Sequence, residues 1–295
     1  MIDVSRIDWA EEWKMLQAER KAADNAEHWT KRAATFSNLD APSSYTLTFI
    51  ERMGIEPGES VFDMGCGNGA LAIPLAKRGH HVFAGDFSSG MIEALEEEAA
   101  KRGLANSIQT KLFSWDDNWA ELGIKERFAD IAIASRSIAT ADLRAAILKL
   151  SGAARRKACI TIATEDTPRS AYTILHSLGA KHAGPQDYIY AFNILIAEGF
   201  HPQLSYIESS MVDTFSSQED AEAYLRKMID GAYPLISRED QAVCRGNIQA
   251  WVSQHLVANE TVGRLDRHGE PEGAYKFDLG RPIRWAFISW DVKRD

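Results

Sequence analysis

The sequence predicts an α/β fold: a doubly wound, mostly parallel sheet with helices on both faces. Three observations carry it. A short run, Val61-Phe62-Asp63-Met64, enters a turn with glycine at every second position (Gly65, Gly67, Gly69) and leaves as the helical pattern Ala70-Leu71-Ala72-Ile73. Apolar runs then alternate with amphipathic stretches from Ser60 to Ala163. Phe128 to Ala134 is apolar apart from Asp130, as a parallel strand covered on both faces should be.

Taken in order, residues 1–36 read as helical, with Trp9, Trp13, Leu16, Trp29, Ala33 and Phe36 as intermittent apolar anchors among charges. Such an arm either packs on the main domain or closes over a pocket and excludes water. Asp40-Ala41-Pro42-Ser43 breaks it, and Tyr45 to Met53 is a further helix. Strands are expected at Val61–Met64, His81–Gly85, Ser107–Phe113, Phe128–Ala134 and Lys157–Ala163. Helices are expected at Leu71–Arg78, Ser89–Arg102 and Asp142–Ala154. After Thr164 the regularity loosens: a short helix around Tyr172–Leu178, a helix Gln186–Gly199 and a strand Gln203–Val212. Helices Gln218–Ile229 and Arg238–Val257 follow, then a charged, Gly-bearing loop Gly263–Gly280 and an aromatic, alternating strand Ile283–Asp291. The expected organisation is an arm or lid (1–53), a cofactor-binding core (54–212), a helical cap insertion (213–282) and a final strand returning to the core sheet (283–295).

Composition narrows the partners. Of 295 residues 25% are charged and 45% hydrophobic, with a net charge of −9, which opposes a general nucleic-acid or anionic-membrane surface. Cys66, Cys159 and Cys244 are scattered and lack metal-site spacing, so a reducing compartment and no metal are expected. No apolar run reaches membrane length, and Met1 to Asp24 is unlike a signal peptide. A cytoplasmic protein is the expectation.

The chemistry centres on the glycine turn. In open parallel sheets ligands sit beyond the carboxyl ends of the strands at the switch point, where this turn falls. Alternating glycines let a ligand approach the backbone, and the following helix start offers free N–H groups. Asp86, at the end of the second strand and 23 positions beyond Asp63, can accept both hydrogens of a ribose diol; its alternative is to cap the next helix, a role that Ser88 and Ser89 already offer. Gly65-x-Gly67-x-x-Ala70 also satisfies the dinucleotide fingerprint. Asp63, just inside the strand end, opposes that reading: a carboxylate repels a pyrophosphate and attracts an ammonium group.

With these residues in place, Asp63-Met64-Gly65-Cys66-Gly67-Asn68-Gly69 resembles the first motif of the class I S-adenosylmethionine-dependent methyltransferases. Gly85-Asp86-Phe87-Ser88-Ser89-Gly90-Met91-Ile92 resembles their second motif, and Trp29-Thr30-Lys31-Arg32-Ala33 resembles an upstream W-x-x-R-A found in small-molecule members. The resemblance covers about residues 29–165. It implies a seven-stranded sheet whose last strand is antiparallel. It also implies S-adenosyl-L-methionine as cofactor and S-adenosyl-L-homocysteine as product. By position, the turn from Gly65 through Cys66, Gly67 and Asn68 to Gly69 would hold the methionine part, and Asp63 its amino group. Asp86 would bind the ribose, with Phe87 and Met91 against the adenine. Trp29 and Arg32 would come from the arm. Ser114-Trp115-Asp116-Asp117 stands where the family carries an acidic residue for the adenine amino group, giving Asp116 with Trp115 beside it, although the common G-D-A form is absent.

Ala134-Ser135-Arg136-Ser137-Ile138 falls beside the transferable methyl in this resemblance, so Ser135 and Arg136 join the site. No Asn-Pro-Pro-Tyr or Pro-Cys element occurs there, which opposes DNA-base methylation. Arg136 either binds an anionic group of the acceptor or pairs with a carboxylate of the cap. His28, Arg136 and Tyr188 are the candidate catalytic residues; His176, His182, Tyr172 and Tyr190 are further possible bases. Trp9, Trp13 and Trp29 either line the pocket, favouring a cationic sulfonium, or pack in the core. The expected function is methyl transfer by direct displacement to a small-molecule acceptor, with no DNA or membrane partner, by a monomer or homodimer. The alternatives are an RNA or protein methyltransferase, an NAD-dependent oxidoreductase, and a non-catalytic module that binds S-adenosylmethionine.

Overall fold

The strand beginning at Val61 lies in the middle of the sheet, and its neighbours explain why. The computed structural model describes residues 7–20, 26–33, 42–168, 171–184, 186–265 and 270–292, with the backbone alone at His28, Arg32 and Ala33. The elements of the first two-thirds are α1 (Trp9–Glu19), α2 (Ala26–Ala33), α3 (Ser44–Met53), β1 (Val61–Met64), α4 (Ala72–Lys77), β2 (Val82–Asp86), α5 (Ser89–Lys101), β3 (Ile108–Leu112), β4 (Ala129–Ser135), α6 (Leu143–Ala153) and β5 (Ala154–Ala163). The remainder are α7 (Tyr172–Ser177), α8 (Asp187–Ala197), β6 (Gln203–Met211), β7 (Thr214–Phe215), α9 (Gln218–Asp230), α10 (Arg238–His255), β8 (Leu256–Ala258), β9 (Tyr275–Phe277) and β10 (Arg281–Asp291). Seven strands join in the order β3-β2-β1-β4-β5-β10-β6. The pairs β1–β2, β1–β4, β2–β3 and β4–β5 are parallel. The order reverses at β1, between β2 and β4, which is the switch point.

Strand periodicity sends alternate residues to opposite faces. Phe62, Met64, Ala132 and Ala134 enter a core with Ile147, Leu150 and Trp13. Val61, Ile131 and Ile133 enter the other, with Phe49, Ile73, Leu75 and Leu95. Both faces of β1 and β4 are therefore dry, which fixes their register: a slip of one residue would exchange the two sets. Helix starts are capped as the sequence suggests. Ser43 accepts from Thr46 N at 3.2 Å and Ser88 accepts from Met91 N at 3.3 Å, while Gly54 ends α3 in the left-handed conformation.

The two described helices of the arm have different settings. On α1, Trp13 is fully buried, its indole N–H donates to Thr140 O at 2.8 Å, and Trp9 and Trp13 both meet Tyr190 edge-on. Arg20 pairs with Asp187 at 2.5 Å. Of the two readings for Trp13, core packing is the one observed. On α2, Thr30 reaches Ser88 Oγ at 2.9 Å, at the head of α5.

The chain forms two compact units: residues 1–162, 187–207 and 286–295 in one, 163–186 and 208–285 in the other. The second unit has its own core, in which Leu175, Leu225, Ile229, Trp251, Val252 and Phe277 meet. Buried Arg281 there makes a two-pronged pair with Asp213 at 2.7 and 2.9 Å. The expectation of helices and loop over 213–282 missed a three-stranded sheet, β7-β9-β8. Its strands are two or three residues long, too short for alternation to register in sequence. Among the described residues no helix is long and apolar enough to cross a membrane.

Candidate cofactor and acceptor site

Three glycines make the turn, and they do different things. Gly65, Gly67 and Gly69 have φ of 76°, 54° and 91°, conformations that side-chain-bearing residues rarely adopt. A Cβ at Gly65 would lie 2.2 Å from Ser137 Cβ, and one at Gly69 would lie 2.3 Å from Leu95 Cδ1. These two serve internal packing. Among the described residues, a Cβ at Gly67 meets only Met91 Sδ, at 4.0 Å. Gly67 is thus the position of the turn with room above it. Gly65 N and Cys66 N donate to Gly85 O at 2.7 and 3.0 Å, tying the turn to β2. The helix that follows, α4, has only six residues. The turn itself, more than a long helix's dipole, is what a ligand would meet.

Two carboxylates flank it. Asp63 is 1% exposed, and among the described residues neither of its oxygens has a hydrogen-bond partner. Burial, reinforced by the nearby charge of Asp86, pushes its pKa up to about 7. Asp86 is also buried, but Oδ2 accepts from Gly67 N and Oδ1 from Ser88 N, each at 2.9 Å. Burial raises its pKa, and these backbone donors pull against the rise. Asp86 therefore braces the turn and the entry to α5, and each oxygen keeps a lone pair for a further donor. The capping and ligand-binding readings do not exclude each other. Burial likewise raises the Cys66 thiol, helped by Asp63 and Asp86, so Cys66 is a packed neutral group here.

An orphaned buried carboxylate costs free energy until a cationic or donor partner arrives. The residues fit S-adenosylmethionine on that ground. An ammonium group answers Asp63, a diol answers Asp86, and the open face of Gly67 admits the chain between them. Met91 is buried behind Gly67 and Phe87 is 39% exposed at the rim. Asn68 is buried. Trp115 donates to Ser137 O at 2.8 Å and tilts against Trp119. Asp116 is exposed, and its neighbour Asp117 takes the local bonds from Ser114 N and Oγ. The Ser114–Asp117 loop is thus held by Trp115 and Asp117, with Asp116 facing solvent.

At the ends of β4 and β5, the Tyr45 hydroxyl is hydrogen-bonded to Ser135 Oγ at 2.7 Å and Thr161 Oγ1 at 2.5 Å. Arg136, with φ of 61°, lays its guanidinium 4.5 Å from the centre of the Tyr45 ring. Ser137 Oγ donates to Met64 O at 2.6 Å.

Trp29 is half-buried on α2, while the side chains of His28 and Arg32 lie outside the described residues. The Tyr188 ring meets Tyr206 of β6 edge-on and packs against the core that holds Trp13 and Ile138. A helical period turned Tyr188 and Tyr190 to different neighbours. Tyr45, Ser137 and Thr161 carry this side of the site and were missed by sequence reasoning. Tyr45 shares the Tyr45-Phe49-Met53 spacing of a buried helix face, so it reads as packing. Ser137 and Thr161 had no signal beyond standing at strand ends.

Residues 61–156 match the family described as Methyltransferase domain. An uncharacterized protein of Haemophilus influenzae is 28% identical over 268 residues, covering 90% of this chain and 89% of that one. The ubiquinone biosynthesis O-methyltransferase of Hahella chejuensis is 29% identical over 90 residues, which is 30% of this chain and 38% of that enzyme. The structure of the YcgJ protein from Bacillus subtilis superposes with a TM-score of 0.52 at 13% identity, covering 85% of this chain and 99% of that one, a likeness of fold.

Proposed function

From its place among the class I, Rossmann-like methyltransferases, we propose that this chain takes a methyl group from S-adenosylmethionine and passes it to a small-molecule acceptor. The single observation that carries the reading is Asp63: a buried carboxylate that has no hydrogen-bond partner among the described residues, at the turn where a Cβ on Gly67 would meet none of them closer than 4.0 Å. A dinucleotide pyrophosphate would meet that carboxylate as a repulsive charge, whereas the ammonium of S-adenosylmethionine would neutralise it. When bound, the cofactor supplies a methyl group on a positively charged sulfur, ready for displacement.

The chain's own residues supply binding, orientation and a dry site. Asp63 and the Gly65–Gly69 backbone would hold the methionine end. Asp86 would hold the ribose, and Met91 and Phe87 would border the base. Orientation and exclusion of water are what a direct displacement asks of a protein, and well-oriented groups can gain roughly 7–11 kcal/mol in this way. The small-molecule acceptor is supported by the net charge of −9 and by the partial likeness to the ubiquinone-pathway enzyme. A cytoplasmic location belongs to the same reading. Calorimetry with S-adenosylmethionine, S-adenosylhomocysteine and NAD tests it. Binding of the first two and not the third is expected; binding of NAD alone would overturn it.

A further inference from the structure

We propose that Gln17 of α1 and Thr140 of the loop after β4 form a polar grip for the methyl acceptor, and that the acceptor is a neutral small molecule presenting a hydroxyl or a carboxamide to it. The inference rests on the methyltransferase reading above and names its acceptor class.

The first support is what these side chains lack. Gln17 Nε2 and Thr140 Oγ1 are buried, and among the described residues neither has a hydrogen-bond partner. A buried polar group left unpaired carries the full cost of its lost hydration. Asp63, at the glycine turn, is in the same condition.

The second support is that the two belong to one place. The Trp13 indole N–H donates to Thr140 O at 2.8 Å, which sets α1 against the loop. Gln17 stands four residues beyond Trp13, so the helical period puts both on one face of α1. Each element is fixed. Trp13 is fully buried, and Arg20 ties the end of α1 to Asp187. In the loop, Ile138 is fully buried, Ser137 Oγ donates to Met64 O at 2.6 Å, and Asp142 caps α6. The loop leaves β4 at its carboxyl end, beside the switch point, where ligands of such sheets sit. The Ser137 bond joins it to the strand that carries Asp63. Groups held on fixed elements lose little freedom when they bind.

The third support is charge. The ions that flank the pair are matched: Lys14 with Glu11 at 2.8 Å and Asp142 at 3.5 Å, and Arg20 with Asp187 at 2.5 Å. A charged ligand would disturb these pairs, whereas a neutral one leaves them intact. Gln17 Nε2 can only donate, and the Thr140 hydroxyl donates or accepts. A group that accepts from the first and donates to the second satisfies both. A hydroxyl does so with one oxygen, and a carboxamide with its two ends.

The test uses the whole protein saturated with S-adenosylhomocysteine, with phenol, benzamide and toluene as probes read by ligand-observed NMR. The variants are Gln17→Leu, Thr140→Val and the two combined. Each removes an unpaired polar group with little change of shape, so without a probe each should melt no lower than wild type. The double variant should lose about tenfold in affinity for phenol or benzamide while binding toluene as well or better. Thr140→Ser keeps the hydroxyl and should keep the affinity. Three results overturn the proposal. One is unchanged affinity for both polar probes in the double variant. Another is no binding of either polar probe by wild type. The last is a clear fall in melting temperature in both single variants, which would mean that the groups are paired within the fold. Calorimetry with S-adenosylhomocysteine on the same samples separates the two levels. Failure of wild type to bind it overturns the methyltransferase reading as well, and normal binding with any of the three results overturns the grip alone.

Discussion

Asp86 Oδ2 accepts a hydrogen bond from Gly67 N at 2.9 Å, so the residue expected to hold a ribose also holds the glycine turn in shape. Asp86→Ala removes both roles. Hydrogen bonds to charged groups contribute about 1.5–3 kcal/mol, so S-adenosylmethionine affinity should fall by roughly one to two orders of magnitude. The melting temperature should fall too, since Gly67 N and Ser88 N lose their acceptor. Asp86→Asn keeps one acceptor oxygen and should lie between the two. Calorimetry and thermal unfolding on the pair check this, and unchanged affinity in Asp86→Ala would remove Asp86 from the ligand site.

Asp63 makes both stability and binding depend on pH. Its pKa is about 7 in the native state against 3.8 for an ordinary aspartate, so between these values the native chain holds a proton that the unfolded chain has released. Stability contributed by this group therefore falls as pH rises through that window and levels off above about pH 7. Asp63→Asn should flatten the slope and make the ligand-free protein more stable than wild type at pH 8. An incoming ammonium group favours the carboxylate, so binding at pH 6 should release up to one proton, and less above pH 7. Titrations in two buffers of different ionisation enthalpy measure the release; identical heats at pH 6 would contradict the role.

Gly65 and Gly67 should separate folding from binding. Alanine at Gly65 meets Ser137 Cβ at 2.2 Å, a clash with a side chain held by its own bond to Met64 O. That variant should lose several kcal/mol of stability, combining overpacking with a positive φ. Alanine at Gly67 has room and pays only for its backbone conformation, about 1–2 kcal/mol. It should stay folded and lose S-adenosylmethionine, because its methyl group would occupy the space left for the ligand. Denaturant unfolding and calorimetry on both variants check the contrast.

Gly90 sets how closely α2 approaches α5. A Cβ there would lie 2.8 Å from Thr30 Cγ2 and 3.1 Å from Thr30 Cα. Gly90→Val should push α2 away from the second motif, with little effect on global unfolding because α2 carries little of the core. Amide hydrogen exchange should show faster exchange over 26–33 and unchanged protection in β1 and β4. Unchanged protection of α2 would contradict the close packing.

The glycine turn and its flanking carboxylates were legible in the sequence for a physical reason. Glycines forced by positive φ, a carboxylate at a strand end and a serine cap are local requirements, and each leaves a fixed spacing. Strand bounds were readable to within three residues wherever both faces are buried, as at Val61–Met64. On the β4–β5 side only Ser135 and Arg136 were legible. Tyr45 on α3 and Thr161 on β5 come from separate elements, and only the parallel register of β4 on β5 brings Thr161 opposite Ser135. The small sheet β7-β9-β8 escaped because its strands, two or three residues long, are too short for an alternating pattern to show.

The strand order also governs how the protein is made. β10 stands between β5 and β6, so while the ribosome is still adding residues up to Arg281, β6 has no partner in the large sheet and β5 presents a bare edge. Strands β1 to β5 can assemble early, but an unpaired edge is a template for pairing with other chains. At synthesis rates of about 5–20 residues per second, the 118 residues from Thr164 through Arg281 leave that edge open for some 6–24 seconds. The nascent chain is therefore most exposed to aggregation, and most in need of a chaperone, just before β10 emerges.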